Sequence, residues 1–287
     1  AAGPIAAVKS SNAYQQLFPP LPPVPQALPE PDPAISIEHS SGSGFYIEMH
    51  DIAVSYHGQP VLQGLNFQLR PGDHIALSGP NGCGKSTLLS LMTGDNHKAY
   101  GQNITLFGRR RGSGESVWDI KQKFGIVSND LHNRYISGWN VLEVVISGFY
   151  DSIGLYDHFG GSETKAAKAW LAALGLQHIS KTLYRKLSFG QQRMVLLARA
   201  MVKYPAVLIL DEACTGLDEY NRQLLLQMVD FIIANSDTSL IFVSHLREEM
   251  PVCINRELEF QARPDGLYNL IEVPVANGST TAVTARD

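Results

Sequence analysis

Short, almost wholly apolar runs alternate along this chain with longer stretches in which apolar residues recur every three or four positions. An apolar run of four or five residues is typical of a parallel strand, because both faces of a parallel sheet are covered. Recurrence every three or four residues is typical of an amphipathic helix. The predicted buried strands are residues 74–78, 206–210 and 240–243, and the predicted helices are residues 88–92, 190–202 and 222–233. This alternation predicts an α/β fold.

Further elements lie before and between these segments. Residues 45–49 alternate as in a half-buried strand. Additional strands are predicted at residues 60–69, 103–107 and 124–127. From residue 137 to residue 186 the apolar residues recur at helical spacing, so we predict a separate helical lobe there.

The start of the chain differs from the rest in composition. Residues 18–33 are crowded with proline, and residues 40–44 alternate serine and glycine. Neither piece has the composition of a packed core, so we predict a linker over residues 1–44 that is semi-rigid where proline dominates. The alternative is a proline-rich ligand for an aromatic groove. The folded domain is expected to span residues 45–273, followed by a disordered tail over residues 274–287.

Composition narrows the class of protein. The 287 residues carry a formal net charge of −4, which gives no general attraction to nucleic acid. We interpret the basic cluster at residues 109–111 as a solvated turn, with nucleic-acid binding as the alternative. The sequence shows no apolar stretch of about 18 residues and no visible signal peptide. Three cysteines without a C-x-x-C pair fit the reducing cytoplasm, with peripheral association at the inner face of the cell membrane as a further option.

The strongest chemical signal is the segment 79–87, which fits the phosphate-binding pattern G-x-x-x-x-G-K-S/T. Glycines there let backbone amides wrap a polyphosphate, while Lys85 reaches the outer phosphates and the Ser86 hydroxyl holds Mg²⁺. A predicted strand precedes the segment and a predicted helix follows it, as the motif requires. The residues predicted to bind the nucleotide here are Gly79, Pro80, Asn81, Gly82, Cys83, Gly84, Lys85, Ser86 and Thr87.

Two carboxylates, Asp211 and Glu212, directly follow the predicted strand 206–210. Ligands of open α/β sheets bind at the carboxyl ends of the strands. We therefore predict that Asp211 holds Mg²⁺, directly or through water, and that Glu212 orients or deprotonates the attacking water. The alternative is a solvated turn.

A third motif, Leu-Ser-Phe-Gly-Gln at residues 187–191, opens a predicted helix. Alone it is only a capped helix start. The order of the phosphate loop, Leu-Ser-x-Gly-Gln, Ile-Leu-Asp-Glu at 209–212 and Val-Ser-His at 243–245 resembles that of ABC-type ATPases. The resemblance covers about residues 45–273. It implies a P-loop NTPase with a RecA-like core, an antiparallel β subdomain and an α-helical subdomain.

The same resemblance implies that two such domains face head to tail. Each ATP, with Mg²⁺, is then clamped between the phosphate loop of one domain and the Leu-Ser-x-Gly-Gln motif of the other. This motif, residues 187–191 here, is called the signature, and the helix that it opens is called the signature helix. The expected partner is a second ABC domain, either in a homodimer or as the other half of a tandem protein. A membrane permease is a further candidate partner, and the sequence carries no strong nucleic-acid signal.

Individual roles follow from the family motifs. Tyr56 matches the aromatic residue that stacks on adenine, and a tyrosine ring suits that contact. Residues 215–218 match the D-loop that crosses the dimer interface, and His245 matches the switch residue on the γ-phosphate. The residues implied to contact the γ-phosphate of the partner's ATP are Ser188, Gly190 and Gln191. The implied catalytic residues are Glu212, His245 and Lys85.

Some positions depart from the family pattern. Asn129 stands where a glutamine is usual, so the Mg²⁺ and water contact of that loop comes from a shorter amide or is lost. With Ser86 and Asp211, Asn129 completes the expected metal-binding set. Phe189 replaces a glycine of the signature and places a large ring where two domains meet. Cys83 lies near a helix N-terminus, which favours the thiolate, so we expect its alkylation to block ATP binding.

The work driven by ATP is a separate question. Residues 89–95, 106–115 and 149–154 resemble the second half of a tandem soluble ATPase of this family that is associated with molybdate transport. This implies that ATP hydrolysis energises molybdate import, with the helical lobe docked on a permease. The alternative is a soluble tandem ATPase that acts on nucleic acid or protein complexes without a membrane partner. A third hypothesis is a regulatory half that binds ATP without turnover.

Overall fold

The computed structural model describes residues 20–33, 44–135, 138–153, 159–245 and 250–275. Within these ranges ten strands form two sheets. The strands are β1 (Ile47–Tyr56), β2 (Gln59–Leu69), β3 (His74–Ser78), β4 (Asn103–Leu106), β5 (Arg109–Arg110), β6 (Phe124–Ser128), β7 (Val207–Asp211), β8 (Ser239–Val243), β9 (Arg256–Ala262) and β10 (Tyr268–Val273). The helices are α1 (Lys85–Thr93), α2 (Val117–Lys121), α3 (Asn129–Arg134), α4 (Val141–Ile146), α5 (Gly161–Ala173), α6 (Phe189–Met201) and α7 (Glu219–Ala234).

The larger sheet has the strand order β10-β9-β3-β8-β7-β6. Its pairs β6–β7, β7–β8, β8–β3 and β3–β9 are parallel, and β10 is antiparallel to β9. Alternate residues of β7 point into different cores, with Leu208 and Leu210 in one hydrophobic cluster and Val207 and Ile209 in the other. A strand buried on both faces must be apolar throughout, which explains its sequence. The predicted α/β fold is confirmed.

The smaller sheet is antiparallel, in the order β2-β1-β4-β5. Its apolar face shares a core with α1, and Ile47, Met49, Phe67 and Leu69 are buried in it. The register between β1 and β2 shifts after Met49, beside Asp51, which has a positive φ of 52°. An irregularity of this kind bends a strand and increases its twist. The smaller sheet reaches the loop between β3 and α1 through Leu62 of β2, which lies against Gly84.

The described residues between α4 and residue 186 are mainly helical and pack on α6. Val144, Val145, Trp170 and Leu171 are fully buried in the cluster that also contains the apolar face of α6. Both α4 and α6 begin with a capping box, in which the N-cap side chain and the third helical residue bond each other's backbone N–H groups. Caps of this kind fix where each helix starts, and therefore where the signature segment lies.

Two buried cations, Arg199 in α6 and Lys203 just after it, bond neighbouring segments of the chain. Arg199 donates a hydrogen bond of 2.7 Å to the hydroxyl of Tyr135 and one of 3.1 Å to the carbonyl of Ser152. Lys203, just after the helix, forms an ion pair with Asp151 and donates to the carbonyl of Lys121 at 2.9 Å. Burial lowers the pKa of Lys203 to about 8, and Asp151 opposes that shift. Charged groups this deeply buried are retained only where partners satisfy them.

Some elements were not predicted from the sequence. Strands β9 and β10 mix charged and apolar residues, and the fully buried Glu257 interrupts the apolar pattern of β9. Helices α2 and α3 have five and six residues, too short for apolar spacing to reveal a period. Across the described ranges, the structure offers no helix with the length and hydropathy needed to cross a membrane.

Part of the predicted linker packs against the domain. Residues 20–33, called the strap here, form no helix or strand, and Leu28 contacts the core cluster of α6 and α7. The hydroxyl of Tyr204 donates to the carbonyl of Glu30 at 2.9 Å. A proline-rich segment loses little backbone entropy when it becomes ordered. Burial of a few apolar side chains is therefore enough to hold the strap against the domain. Residues 1–19, 34–43 and 276–287 of the predicted linker and tail lie outside the described residues.

The strap contact gives a stability prediction. Replacing Tyr204 by phenylalanine removes the hydrogen bond to Glu30 and should lower the free energy of unfolding by about 1 kcal/mol. The measurement is the urea midpoint of the full chain. Tyr100→Phe is the control, since Tyr100 is 55% exposed. In a chain that lacks residues 1–33 the Tyr204→Phe change should cost much less, and an equal cost in both chains would show that the strap contact does not contribute.

Candidate functional site

The loop between β3 and α1 borders a cavity of about 400 Å³ at the carboxyl edge of the larger sheet. Parallel strands bring the ends of β3, β6 and β7 to that edge. The cavity is lined by Val61, Asn81, Gly82, Gly84, Lys85, Ser86, Thr87, Ser128, Asn129, Asp130, Asp211 and Glu212. Two separate sequence predictions, the phosphate loop and the pair of acids, therefore meet at one cavity.

Two glycines of the loop are required by close approach of other elements. A Cβ on Gly79, which has a φ of 148°, would lie 2.7 Å from the Cβ of Phe260 in β9. A Cβ on Gly84, with a φ of 108°, would lie 2.5 Å from the side chain of Leu62 in β2. Both positions combine a backbone conformation that side chains disfavour with a collision. The two sheets thus hold the loop from both sides.

Lys85 and the start of α1 supply the positive groups of the cavity. The Lys85 side chain is buried, and its Nζ donates to the carbonyls of Gly79 at 2.7 Å and Pro80 at 2.9 Å. The N-cap of the nine-residue helix α1 is Gly84, which has no side chain to cap the helix. Its first-turn N–H groups remain available to an anion, and the helix dipole favours one there.

Asp211 is the last residue of β7, Glu212 follows it, and both residues line the cavity. Burial raises the pKa of Asp211 and the charge of Glu212 raises it further, while Lys85 and His245 oppose the shift. Glu212 has a positive φ of 53°, and its N–H donates to the carbonyl of Val243 in β8 at 3.0 Å. A non-glycine residue held in this conformation is strained, and such strain is concentrated at functional sites.

His245 lies between the phosphate loop and Glu212. Its Nε2 is 2.7 Å from Oε1 of Glu212, and its Nδ1 is 3.1 Å from the carbonyl oxygen of Gly79. A carbonyl oxygen only accepts, so Nδ1 carries a proton and donates it. A second cavity of about 320 Å³, bordered by Glu212, residues 214–217 and His245, lies on the D-loop side. Glu212 borders both cavities.

The signature segment, residues 187–191, lies away from the cavity beside the phosphate loop, which is called the phosphate cavity from here on. Ser188 and Gln191 cap α6 reciprocally, with bonds of 3.2 Å and 3.0 Å. A Cβ on Gly190 would lie 2.0 Å from Oδ1 of Asn221 in α7, so only glycine fits there. The ring of Phe189 packs on Gly216 of the D-loop and is 38% exposed. The structure thus joins the signature to the D-loop, and neither motif reaches the phosphate loop of the same chain.

Tyr56 also lies outside the lining of the phosphate cavity. Its side chain is partly exposed, its hydroxyl accepts a bond of 2.7 Å from Asn96, and Nζ of Lys98 lies 5.3 Å from the ring centroid. An ammonium group at that distance is attracted to an aromatic face. Adenine stacking on Tyr56 remains a prediction.

The expectation that the Cys83 thiolate is favoured is wrong. The side chain is buried, and burial raises the pKa of the thiol by more than Lys85, whose Nζ is 3.9 Å away, lowers it. Proximity to a helix N-terminus favours a thiolate only where solvent or a cation can support the charge. Burial therefore disfavours the Cys83 thiolate, and the effect of its alkylation on ATP binding stays a prediction.

The residues present fit Mg²⁺ bound together with a triphosphate. Ser86 and Asp211 line the same cavity, and the crowding of Asp211 and Glu212 is relieved by a cation. Within the described ranges, His, Cys, Asp and Glu form no group of three or more suited to hold a metal ion. Two protein oxygens completed by phosphates and water are the usual way in which proteins bind Mg²⁺.

Sequence reasoning missed several members of the site. Ser128 and Asp130 flank Asn129 and line the cavity, a placement that the neighbouring prediction already indicated. Arg193 was missed because a basic residue in the signature helix looks like a surface residue, whereas it is fully buried.

The basic cluster at residues 109–111 is not a continuous surface. Arg111 is buried and pairs with Glu115 at 3.0 Å, so only two of its three arginines are exposed.

Comparison with known proteins agrees with these motifs. A sequence model of the ABC transporter family matches residues 62–215. The ABC transporter ATP-binding protein ModF of Escherichia coli K12 is 46% identical over 246 residues, which cover 85% of this chain and 50% of ModF. The chain therefore spans about half the length of that relative.

Solved structures share the fold at low sequence identity. CbiO1 from Clostridium perfringens, described as part of the ABC transporter complex cbiONQ, aligns with a TM-score of 0.67 at 23% identity, covering 80% of this chain and 88% of CbiO1. The dimeric structure of MJ0796, described as a bacterial ABC transporter cassette, aligns with a TM-score of 0.63 at 20% identity, covering 74% of this chain and 93% of MJ0796.

The electrostatics of Asp211 give a pH prediction. Because its pKa is raised in the folded protein, the stability it contributes is present below its unfolded pKa, about 3.9, and is lost as pH rises through the folded pKa. Asp211→Asn should therefore raise the melting temperature at pH 7 in the absence of nucleotide, and the gain should shrink towards pH 4.

The measurement is thermal unfolding between pH 4 and pH 8. Asp265→Asn is the matched control, because the Asp265 side chain is 46% exposed in the turn between β9 and β10. A melting temperature of Asp211→Asn that is equal to or below that of the parent at pH 7 would contradict the assigned electrostatics. The same variant should need more Mg²⁺ for half-maximal ATP hydrolysis.

Proposed function

Because the chain belongs to the ABC transporter family of ATP-binding domains, we propose that it binds MgATP and hydrolyses it in a site completed by a second ABC domain. The family resemblance inferred from the motifs is confirmed, and domains of this family hydrolyse ATP. The observation that carries the proposal is the meeting of Lys85, Ser86, Asp211 and Glu212 at one cavity of about 400 Å³.

The phosphates are proposed to bind in the loop of residues 79–87. The uncapped N–H groups of α1 and the Lys85 ammonium face the same cavity, so both stabilise the negative charge of the β- and γ-phosphates. Ser86 and Asp211 are proposed to hold Mg²⁺, which neutralises charge on the transferred phosphoryl group when bound. Tyr56 is proposed to stack on the adenine. Asn129 is treated separately below.

Glu212 is proposed to orient or deprotonate the attacking water. Its carboxylate borders the cavity, and the backbone strain at this residue fixes where it points. His245, whose Nδ1 is anchored on the Gly79 carbonyl, holds Glu212 through Nε2 at 2.7 Å. We infer that His245 links the position of the catalytic acid to the phosphate loop, and that its Nε2 donates to the γ-phosphate in place of Glu212 when nucleotide enters.

A second domain is proposed to complete the site. Ser188, Gly190 and Gln191 do not line the cavity of their own chain, and the partly exposed ring of Phe189 lies beside the D-loop. An exposed aromatic ring of this kind suits an interface. MJ0796, which shares the fold, is described as dimeric. Since the chain spans half of ModF, a tandem partner in the same polypeptide is one form of this proposal and a homodimer is the other.

The work output is proposed to be import through a membrane permease, with molybdate as the cargo and the helical lobe as the docking surface. The family match and the ModF relationship support a transporter-type ATPase. In the described residues, only the phosphate-binding groups are arranged to hold an oxyanion, so cargo recognition is assigned to the permease. The protein would then act in the cytoplasm, at the inner face of the membrane.

ATP turnover tests the proposed enzyme directly. Steady-state ATPase activity should rise more steeply than protein concentration, because two domains form each site. Glu212→Gln should lower the rate by about 10²–10⁴ while it still binds ATP and dimerises. Gln261→Glu, at an exposed position of β9, is the control for an exchange of amide and carboxylate elsewhere. Activity strictly proportional to concentration, or a fully active Glu212→Gln variant, would count against the composite site.

A binding experiment separates the two hypotheses for work output. Crosslinked cell membranes should yield an integral membrane protein bound to the chain, trapped best by Glu212→Gln with ATP, and molybdate should stimulate ATPase activity in vesicles that contain both. Recovery with ribosomes or nucleic acid, and no membrane protein, would instead support the soluble tandem ATPase. The two exposed arginines of the basic cluster, Arg109 and Arg110, would then be the residues to change.

A further inference from the structure

Arg193 connects two parts of the protein that the motifs treat separately. It lies in α6, five residues after Ser188, and is fully buried. Its Nη1 donates to the carbonyl of Ser128 at 3.3 Å, and its Nη2 donates to Oδ1 of Asn129. The guanidinium also lies 4.9 Å from the centroid of the Phe189 ring. One side chain thus joins the junction of β6 and α3, which borders the phosphate cavity, to the start of the signature helix.

The chemistry of the two groups fixes how Asn129 is oriented. A guanidinium has five N–H donors and no acceptor, so the atom of Asn129 that faces it must be the amide oxygen. The other end of the amide is the NH₂ group, which only donates. An oxygen already bonded to a buried cation is a poor ligand for a second cation. Held in this way, Asn129 offers the cavity a hydrogen-bond donor.

We propose that Arg193 is a positioning residue that makes Asn129 a hydrogen-bond donor towards the phosphate cavity instead of a ligand of Mg²⁺. The inference rests on the proposed function, since it assumes that ATP binds in that cavity. It revises the metal-binding set expected from sequence to Ser86 and Asp211. The acceptor for the Asn129 amide is a γ-phosphate oxygen or the attacking water, both of which accept where Mg²⁺ does not.

The pair of Arg193 and Asn129 also connects the phosphate cavity of a domain with the signature end of its helix α6. The signature end of α6 is proposed to face the ATP held by the partner domain, and Phe189 at that end packs against the Arg193 guanidinium. Any shift of the helix start therefore moves the cation that holds Asn129. Through Arg193, closure on the partner's nucleotide changes the donor that a domain presents to its own nucleotide.

Arg199 provides a matched control. It is also buried in α6, and it bonds the hydroxyl of Tyr135, the carbonyl of Ser152 and the hydroxyl of Ser147 at 3.2 Å. Replacing either arginine by methionine keeps an unbranched side chain and removes a buried guanidinium. Only Arg193→Met removes the partner of Asn129.

The experiment measures ATP binding by titration calorimetry in the non-hydrolysing Glu212→Gln background, with Mg²⁺ and with EDTA. Asn129→Asp replaces a donor by an anionic acceptor, so the dissociation constant for ATP should rise about tenfold in both conditions. Arg193→Met should raise the dissociation constant for MgATP about tenfold, because the amide is no longer held. Arg199→Met should change it much less than Arg193→Met does.

Two results would overturn the proposal. If Asn129→Asp binds MgATP as tightly as the parent or more tightly, with a larger difference between Mg²⁺ and EDTA, residue 129 is a metal ligand. If Arg193→Met and Arg199→Met weaken binding equally, Arg193 only supports the fold. Should Arg193→Met fail to fold, Arg193→Lys takes its place, because an ammonium group cannot bond Ser128 and Asn129 in the same fork geometry.

A readout without nucleotide separates this proposal from the proposed function. Thermal unfolding of Asn129→Ala, Arg193→Met and the double variant forms a double-mutant cycle. The double variant should melt close to Arg193→Met alone, because each change already breaks the same bond. Additive losses would overturn the Asn129–Arg193 pair. Failure of the Glu212→Gln parent to bind ATP would instead overturn the proposed function, whatever the cycle shows.

Discussion

The parallel pairing of β3, β8 and β7 is the constraint on which the site depends. Leu77 pairs with Val243, and Leu210 pairs with Phe242, so the three strands end at the same edge of the sheet. The residues that follow each strand are therefore neighbours in space although they are far apart in sequence. Ladder hydrogen bonds hold this alignment, and the strands are buried on both faces, so slippage would expose apolar side chains and misplace Glu212 and His245.

Helix α6 is the second organising element, and its buried cations explain how. Arg193 bonds the junction of β6 and α3, Arg199 bonds Tyr135 and Ser152, and Lys203 just beyond the helix bonds Asp151. Burying three cations costs desolvation energy, and each of them hydrogen-bonds a segment other than its own. The helix that begins at the signature is thereby attached to both the phosphate cavity and the helical lobe. A rigid element with these attachments can transmit a displacement between them.

The sequence predicted those parts of the site in which chemistry and local structure coincide. A phosphate loop needs glycines, a lysine and a hydroxyl in a fixed local order, so residues 79–87 were predicted to bind phosphate without tertiary information. The contacts that make Gly79 and Gly84 obligatory come from Phe260 and Leu62, on strands remote in sequence. The thiol of Cys83 was misjudged for the same reason, because its burial depends on tertiary packing. Arg193 shows the limit most clearly, since no local pattern distinguishes a buried arginine from a solvated one.

The site combines several features that are unfavourable for the domain alone. Asp211 is buried beside another carboxylate, Glu212 has a strained backbone, and α1 begins without a capping side chain. Each feature reduces the stability of the domain by itself, and a triphosphate with Mg²⁺ compensates the first and the third by charge. The exposed Phe189 ring beside Gly216 is likewise unfavourable, and the proposed second domain would cover it. Under the proposed function, nucleotide and partner stabilise the same conformation, and each should raise the affinity for the other by an equal factor, as thermodynamic linkage requires.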